Sequence, residues 1–137
     1  MREKNLCKKV FYLCEMILHL DITPRPAPRL TQSMRFSDKA KNYERYKEAV
    51  HLLCQSYKYE LTGIVKVIFV MPVFESWSEK KRKELIGKPH CRTPDIDNLV
   101  KGFMDSFGKD DSHVYEIHAR KSWGERGQII LFTGEHL

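Results

Sequence analysis

Four stretches of the chain have the apolar and polar pattern of a β-strand. Successive side chains of a strand point to opposite faces, so alternation, or a run of β-branched residues, predicts this structure. The four stretches are 16–23, 64–71, 113–123 and 128–132. The first ends at a cluster of prolines and the second at Pro72, and residues 124–127 form a turn before the last.

Two further stretches have apolar residues at spacings of three and four, which is typical of an amphipathic helix. One follows Ser37, a residue type that favours the N-cap position, and continues to Tyr57. The other covers 93–107, and its apolar stripe consists of Ile96, Leu99, Val100, Phe103, Met104 and Phe107. The order β-α-β-α-β-β predicts an α+β fold, a single domain with a small mixed β-sheet packed by two main helices.

Length and charge limit the classes of protein to which the chain can belong. Its 137 residues suit one domain, and we expect an N-terminal extension at 1–16 followed by a domain at 17–137. Lys and Arg number 24 and Asp and Glu 18, which gives a net charge of +6 with neutral histidines. This excess attracts polyanions, either nucleic acid or an anionic membrane surface.

The same sequence predicts the compartment. No apolar run reaches the roughly 18 residues that a membrane span needs, and from the first residues we expect no export signal. The cysteines form no C-x-x-C pair, which argues against a structural zinc site and against a disulfide framework; they are Cys7, Cys14, Cys54 and Cys91. We therefore expect a cytoplasmic protein with no membrane association and no organic cofactor.

Two segments concentrate the positive charge. The first follows the predicted first strand, where three prolines stiffen a loop, and contributes Arg25, Arg29 and Arg35. The second contributes Lys80, Lys81, Arg82 and Lys83. Both are candidate DNA-binding segments, because contacts with phosphates supply the sequence-independent part of DNA affinity. The alternative is that both are solvated faces that keep the protein soluble.

Aspartates lie at both ends of the second predicted helix, Asp95 and Asp97 at its start and Asp110 and Asp111 after its end. Side chains two positions apart in a helix point about 200° away from each other around the helix axis. Asp95 and Asp97 therefore share a face only if the backbone is extended through Asp95. Because the apolar stripe begins at Ile96, we expect the helix to begin near there. One interpretation is structural: Asp95 caps the helix, and Asp97 complements the helix dipole and forms an i,i+4 ion pair with Lys101.

The second pair of aspartates favours a metal site instead. Carboxylates near a helix C-terminus oppose its dipole, so a cation should compensate Asp110 and Asp111. Mg²⁺ is suitable because it binds a few carboxylates together with waters and phosphate oxygens, and it promotes phosphodiester hydrolysis. An EF-hand calcium loop does not fit, since Leu99 and Val100 stand where it requires an oxygen ligand and a glycine. With the basic charge, this pattern favours a metal-dependent enzyme that acts on nucleic acid.

The acidic motif also resembles a known family. The chain is similar to the RusA family of Holliday junction resolvases, particularly its phage and prophage members. The residues that carry the resemblance are the string Pro94-Asp95-Ile96-Asp97-Asn98-Leu99, then Lys101 and Asp105, and then the string Asp110-Asp111-Ser112-His113-Val114. It also resembles the family's N-terminal strand and basic loop at 22–24 and 28–31, and its middle loop at 77–81 and 87–90. The resemblance covers about residue 17 to the end.

The resemblance implies a homodimeric endodeoxyribonuclease that binds four-way DNA junctions and makes paired, symmetric cuts with Mg²⁺, for which Mn²⁺ substitutes. Asp95, Asp97 and Asp111 match the family's metal-binding aspartates, with Asp110 as a further candidate, and Lys101 matches its catalytic lysine. The implied role is recombination, repair or phage DNA processing. The link between the helix and Asp110 is shorter than in the family's bacterial founding member, so the metal site requires Asp111 to turn back toward Asp95.

Two other functions stay open: a catalytically inactive branched-DNA-binding module, and a nuclease that acts on flaps or other branched DNA. Phe36 or Trp77 is a candidate for stacking on an unpaired base, and His90 or His113 for contact with metal or phosphate. For Phe36 and Trp77, packing in the core or in a loop is the stronger interpretation. For His90 and His113, contact with metal or phosphate is the weaker interpretation, because ligand histidines usually have a partner ligand and the sequence shows none.

Overall fold

A computed structural model describes residues 16–29, 31–108 and 111–133. The strands are β1 (Met16–Leu20), β2 (Ile64–Pro72), β3 (Glu116–Gly124) and β4 (Gln128–Thr133). The helices are α1 (Asp38–Ser56), α2 (Glu79–Leu85) and α3 (Ile96–Asp105), with a 3₁₀ turn at Gln32–Met34. Apart from Met16, the predicted N-terminal extension lies outside the described residues. Within those residues, no helix is both long and apolar enough to cross a membrane.

The four strands form one mixed sheet in the order β1-β4-β2-β3. β4 is antiparallel to both of its neighbours, whereas β2 and β3 are parallel. The predicted turn at 124–127 therefore does not join adjacent strands, because β2 lies between β3 and β4. Parallel neighbours need a crossover connection, and here it contains α2 and α3. As a result, α3 begins near the end of β2 and returns the chain to the start of β3.

The core lies between one face of the sheet and the apolar sides of α1 and α3. Alternate residues of β2 are buried, from Val65 to Met71. The largest fully buried side chains of the core are Leu20, Phe69, Leu99, Phe103, Ile129 and Leu131. Burying a side chain of this kind contributes about 1.5–3 kcal/mol, so the sheet and the two helices stabilise each other. The predicted α+β domain with a small mixed sheet and two main helices is confirmed.

The helix ends show which local signals the sequence carries. Ser37 is the N-cap of α1, as predicted, and its hydroxyl accepts a hydrogen bond from the backbone N–H of Ala40 at 3.3 Å. The short helix α2 was not predicted, because it buries no side chain and so has no apolar stripe. Its signal is Ser78, which caps it by accepting from the N–H of Lys81 at 3.2 Å.

The proline-rich loop, which contains Pro24, Pro26 and Pro28, packs against α3. The backbone N–H of Ala27 donates a hydrogen bond to the carbonyl of Asn98 at 2.9 Å. Gly102 is buried under the same loop, and a Cβ there would lie 2.8 Å from the carbonyl oxygen of Arg25. Only glycine allows so close an approach of the two backbones. The fold thereby attaches the proline-rich loop, with its arginines, to the helix that carries Asp97.

Candidate active site

Asp95 and Asp97 lie at the N-terminus of α3. The helix begins at Ile96, as its apolar stripe predicts, and Asp95 is the N-cap with φ −69° and ψ 146°. This extended conformation at Asp95 is the condition under which the two carboxylates can serve one site. Both side chains are exposed to solvent.

Asp97 lies in the first turn of α3, where it complements the helix dipole, but neither carboxylate makes the capping hydrogen bond or the ion pair that the sequence also allowed. Asp95 accepts no capping hydrogen bond. The ion pairs of the described residues include none between Asp97 and Lys101. Lys101 is exposed, one turn along from Asp97 and on the same side of the helix. The two carboxylates and the ammonium group are therefore available to a ligand.

Lys121 fixes the backbone that leads into Asp95. From β3, its ammonium group donates hydrogen bonds to the carbonyls of Arg92 at 2.7 Å and Pro94 at 2.8 Å. Sequence reasoning did not select this residue, although its position carries a signal. Strand alternation places it on the same face as Ala119, where a lysine amid apolar neighbours requires polar partners.

A groove of about 980 Å³ lies between the proline-rich loop, the first turns of α1 and the segment before α3. Its cationic side chains are Arg25, Arg29 and Lys39, and Asp95 forms part of its wall. Cations along a groove neutralise the charge of a nucleic-acid backbone. The fold thus brings two of the predicted DNA contacts, Arg25 and Arg29, beside a predicted metal ligand.

Arg35 is not part of this groove. It lines a separate hollow of about 800 Å³ together with Phe36, Lys41 and Arg45. The three arginines that the sequence places in one basic segment are therefore divided between two surfaces.

The four cations of α2 have different surroundings. Lys80 is exposed, and the ammonium group of Lys81 lies 4.3 Å from the centroid of the Trp77 ring. Lys83 forms an exposed ion pair at 3.1 Å with a glutamate of the same helix, which contributes at most about 1 kcal/mol. Arg82 is half-buried, and its Nε has no hydrogen-bond partner in the described part of the chain. Consecutive helical residues differ by about 100°, so these four side chains cannot all contact one DNA strand.

Asp111 lies at the opposite end of α3 from Asp95. Its carbonyl accepts a hydrogen bond from the N–H of Val114 at 3.0 Å, and the backbone N–H of the next residue, Tyr115, donates to the carbonyl of Gly63 at 2.9 Å. Gly63 lies just before β2, at one end of the sheet. The segment before α3 is hydrogen-bonded to Lys121, which lies nearer the other end. The ten residues of α3 separate these ends by roughly 14 Å. One chain therefore does not bring Asp111 next to Asp95.

The two candidate histidines have partners within the fold. The ring of His113 hydrogen-bonds through Nε2 with the carbonyl of Leu61 at 2.9 Å. His90 is buried against the ring of Trp123, with 4.2 Å between centroids. Burial, and then the charge of Lys121, lower the pKa of His90. These contacts favour packing as the role of His90, and a hydrogen bond to the backbone as the role of the exposed His113.

The donor set at the start of α3 suits Mg²⁺. Asp95 and Asp97 present carboxylate oxygens, and Mg²⁺ usually binds one or two carboxylates plus waters and substrate phosphates. In the part of the chain that the structure describes, no three His, Cys, Asp or Glu side chains lie together in a metal-binding group. Asp111 thus does not complete a three-carboxylate site within one chain, and Asp110 lies outside the described residues.

Comparison with protein families identifies the family to which the chain belongs. The family model of the endodeoxyribonuclease RusA matches residues 20–132. The chain belongs to the RusA endodeoxyribonuclease family. The match begins at the last residue of β1 and ends within β4, so it includes the proline-rich loop, α3 and Lys121. The resemblance stated from the sequence is confirmed, and with it membership of a nuclease family. No curated protein matches the chain.

Proposed function

We propose that this RusA-family protein is a Mg²⁺-dependent endodeoxyribonuclease that resolves four-way DNA junctions by paired, symmetric phosphodiester hydrolysis. The observation that carries the proposal is the position of Asp95 and Asp97. Within the described residues they have no capping or ion-pair partner, and Asp95 borders a cationic groove. We expect Mn²⁺ to replace Mg²⁺, and the setting to be cytoplasmic DNA recombination, repair or phage DNA processing.

The chemistry follows from the side chains at the start of α3. Asp95 and Asp97 hold the metal ion, which when bound polarises a phosphate and lowers the pKa of a water. Lys101 binds the scissile phosphate and stabilises the negative charge that develops on it. Arg25 and Arg29 bind neighbouring phosphates of the same strand and so fix its position in the groove.

A second copy of the chain supplies the third carboxylate in this proposal. A homodimer with a twofold axis across the middle of α3 would pair two antiparallel helices and place the partner's Asp111 near Asp95. Such a dimer has two identical sites, which paired cuts in a symmetric junction require. Apolar side chains that stay exposed support this surface as the interface; they are Ile96 at the start of α3, Tyr115 just before the edge strand β3, and Ile117 within β3.

The remaining basic residues contact phosphates farther from the cut. Branched DNA is recognised by its backbone and shape, which suits the exposed cations of α2, Lys80, Lys81 and Lys83, together with Arg82 and Arg35. Each phosphate contact should contribute a slope of about −0.9 to a plot of log affinity against log salt concentration. A junction affinity that is independent of salt would remove the basic segments from the proposal.

The test compares a labelled four-way junction, a flap and a linear duplex with the same arm sequences, each in Mg²⁺, in Mn²⁺ and in EDTA. We expect paired nicks in the junction with either metal ion and no cutting in EDTA. Full cleavage in EDTA would overturn the metal requirement. Preferential cutting of the flap would identify a different nuclease specificity, and binding without any cutting would identify an inactive DNA-binding module.

A further inference from the structure

Four rings form a cluster near the end of the sheet where α3 begins. Trp123 and His90 are buried, and their ring centroids are 4.2 Å apart. Trp77 packs against Trp123 at 5.2 Å, and Phe74 packs edge-on against Trp77 at 4.6 Å. Phe74 is nevertheless 48% exposed. The buried rings hold Phe74 in place while half of its surface faces solvent.

Two cations lie over the outer rings of this cluster. The guanidinium carbon of Arg92 is 5.7 Å from the centroid of Phe74 and 5.6 Å from that of Trp77. The ammonium group of Lys81 is 4.3 Å from the centroid of Trp77. In the described part of the chain, neither cation forms an ion pair with a carboxylate. We call Phe74, Trp77, Lys81 and Arg92 the aromatic–basic surface.

The aromatic–basic surface adjoins the candidate active site. Arg92 precedes Asp95 by three residues, and its carbonyl accepts one of the two hydrogen bonds from Lys121. The cation at the surface and the predicted metal ligand therefore lie on one short backbone segment that β3 holds in place. Thr93, the residue after Arg92, lines the groove together with Asp95, so a DNA strand in that groove would pass next to the aromatic–basic surface.

We propose that the aromatic–basic surface binds an unpaired nucleobase and its phosphate where the strands of a DNA branch separate. An exposed aromatic ring stacks on any base, and neighbouring cations bind the phosphate, which is the combination that binds single-stranded nucleic acid. Continuous duplex offers no free base face to Phe74. The inference rests on the proposed function and states how the enzyme distinguishes a branch from continuous duplex.

The test measures DNA binding in EDTA, where no strand is cut. The probes are an oligothymidylate single strand, a linear duplex, and a four-way junction with 2-aminopurine at the branch point. We expect Phe74→Ala to weaken binding of the single strand and the junction about tenfold, and binding of the duplex less than about twofold. The 2-aminopurine fluorescence change produced by the wild type should disappear. Phe74→Tyr should bind like the wild type.

Tyr57→Ala is the matched control. Tyr57 is 47% exposed, almost the same fraction as Phe74, and among the described residues no other aromatic ring or cation lies over it. Its removal should leave all three affinities unchanged. If Phe74→Ala does not fold, Arg92→Ala tests the same surface, because the Arg92 side chain is exposed and should give the same selective loss.

Three results would overturn the inference: unchanged affinities in Phe74→Ala, an equal loss for all three DNAs, or a changed oligomeric state in sedimentation with unchanged DNA binding. The last result would mean that the surface contacts protein. A wild type that binds the branch through Phe74 but cuts no junction would support this inference and overturn only the proposed nuclease function. If the protein cuts junctions but its DNA binding does not depend on Phe74, the result would support the proposed nuclease function and overturn only this inference.

Discussion

The ammonium group of Lys121 donates a hydrogen bond to the carbonyl of Pro94 at 2.8 Å, one residue before Asp95. A second hydrogen bond from the same group reaches the carbonyl of Arg92. Hydrogen bonds from a charged donor are stronger than neutral ones, so together they fix the direction in which the chain enters α3. Because β3 is paired with the buried strand β2, the Asp95 carboxylate is positioned from the core of the fold.

Lys121→Met should therefore weaken catalysis through Asp95. The substitution keeps much of the apolar stem and removes both hydrogen bonds, each worth about 1.5–3 kcal/mol for a charged donor. We expect the rate of junction cutting to fall at least about tenfold and the Mg²⁺ concentration for half-maximal rate to rise. Lys121→Arg should restore part of both. Binding of a linear duplex in EDTA, which does not use the aromatic–basic surface, should stay unchanged, and an unaltered Mg²⁺ dependence would contradict this positioning role.

Asp97→Asn should abolish cutting while junction binding persists. The amide keeps the size of the side chain but is a poor magnesium ligand, so we expect a loss of at least about a hundredfold in single-turnover rate. Asp38 gives the matched control, since it lies in the first turn of α1 as Asp97 does in α3. Asp38→Asn should cut at the wild-type rate. Normal cutting by Asp97→Asn would remove this carboxylate from the site.

Mixed dimers test whether each site uses two chains. Asp97→Asn and Asp111→Asn should each be inactive alone. In a dimer of one chain of each kind, one site has both substitutions and the other has neither, so one site should recover. A supercoiled plasmid with a cruciform should then be nicked rather than linearised. No recovery on mixing would mean that each site is built within one chain.

Gly102→Ala should destabilise the protein, although alanine is the better helix former. In an open helix position this substitution stabilises by about 0.5–1 kcal/mol. Here the new Cβ would meet the carbonyl oxygen of Arg25 at 2.8 Å, and such overpacking costs about 1–3 kcal/mol. Urea unfolding should show a net decrease in the free energy of unfolding, and displacement of the proline-rich loop should weaken junction binding. An increase in the free energy of unfolding would contradict the observed packing.

His90 should make the protein less stable in acid. Its folded-state pKa is lowered by burial, while the unfolded chain keeps a value near 6.5. Below about pH 6.5 the unfolded state therefore binds a proton that the folded state does not, and the free energy of unfolding falls as the pH falls. His90→Phe keeps a ring against Trp123 and removes this group. Between pH 7 and pH 5 its melting temperature should fall less than that of the wild type; equal falls would contradict the prediction.

The sequence determined the elements whose side chains repeat with a clear period. The stripe of six apolar residues from Ile96 to Phe107 predicted a helix that begins at Ile96 and thereby placed Asp95 at its cap, because periodicity and capping depend on residues near each other in the chain. The acidic motif likewise predicted the RusA family. The helix α2 escaped prediction because none of its side chains is fully buried and its sequence has no apolar stripe, and the separation of β3 from β4 by β2 escaped because strand order depends on long-range pairing.

Only the tertiary structure decided which side chains meet. It brings Arg25 and Arg29 to Asp95 and puts Arg35 on another surface, although the three are close in sequence. It places Lys121 under the start of α3, and it separates Asp111 from Asp95 by the length of a helix. These relationships arise because a parallel β2–β3 pair forces α3 to run from one end of the sheet to the other. Local sequence pattern contains no information about that path.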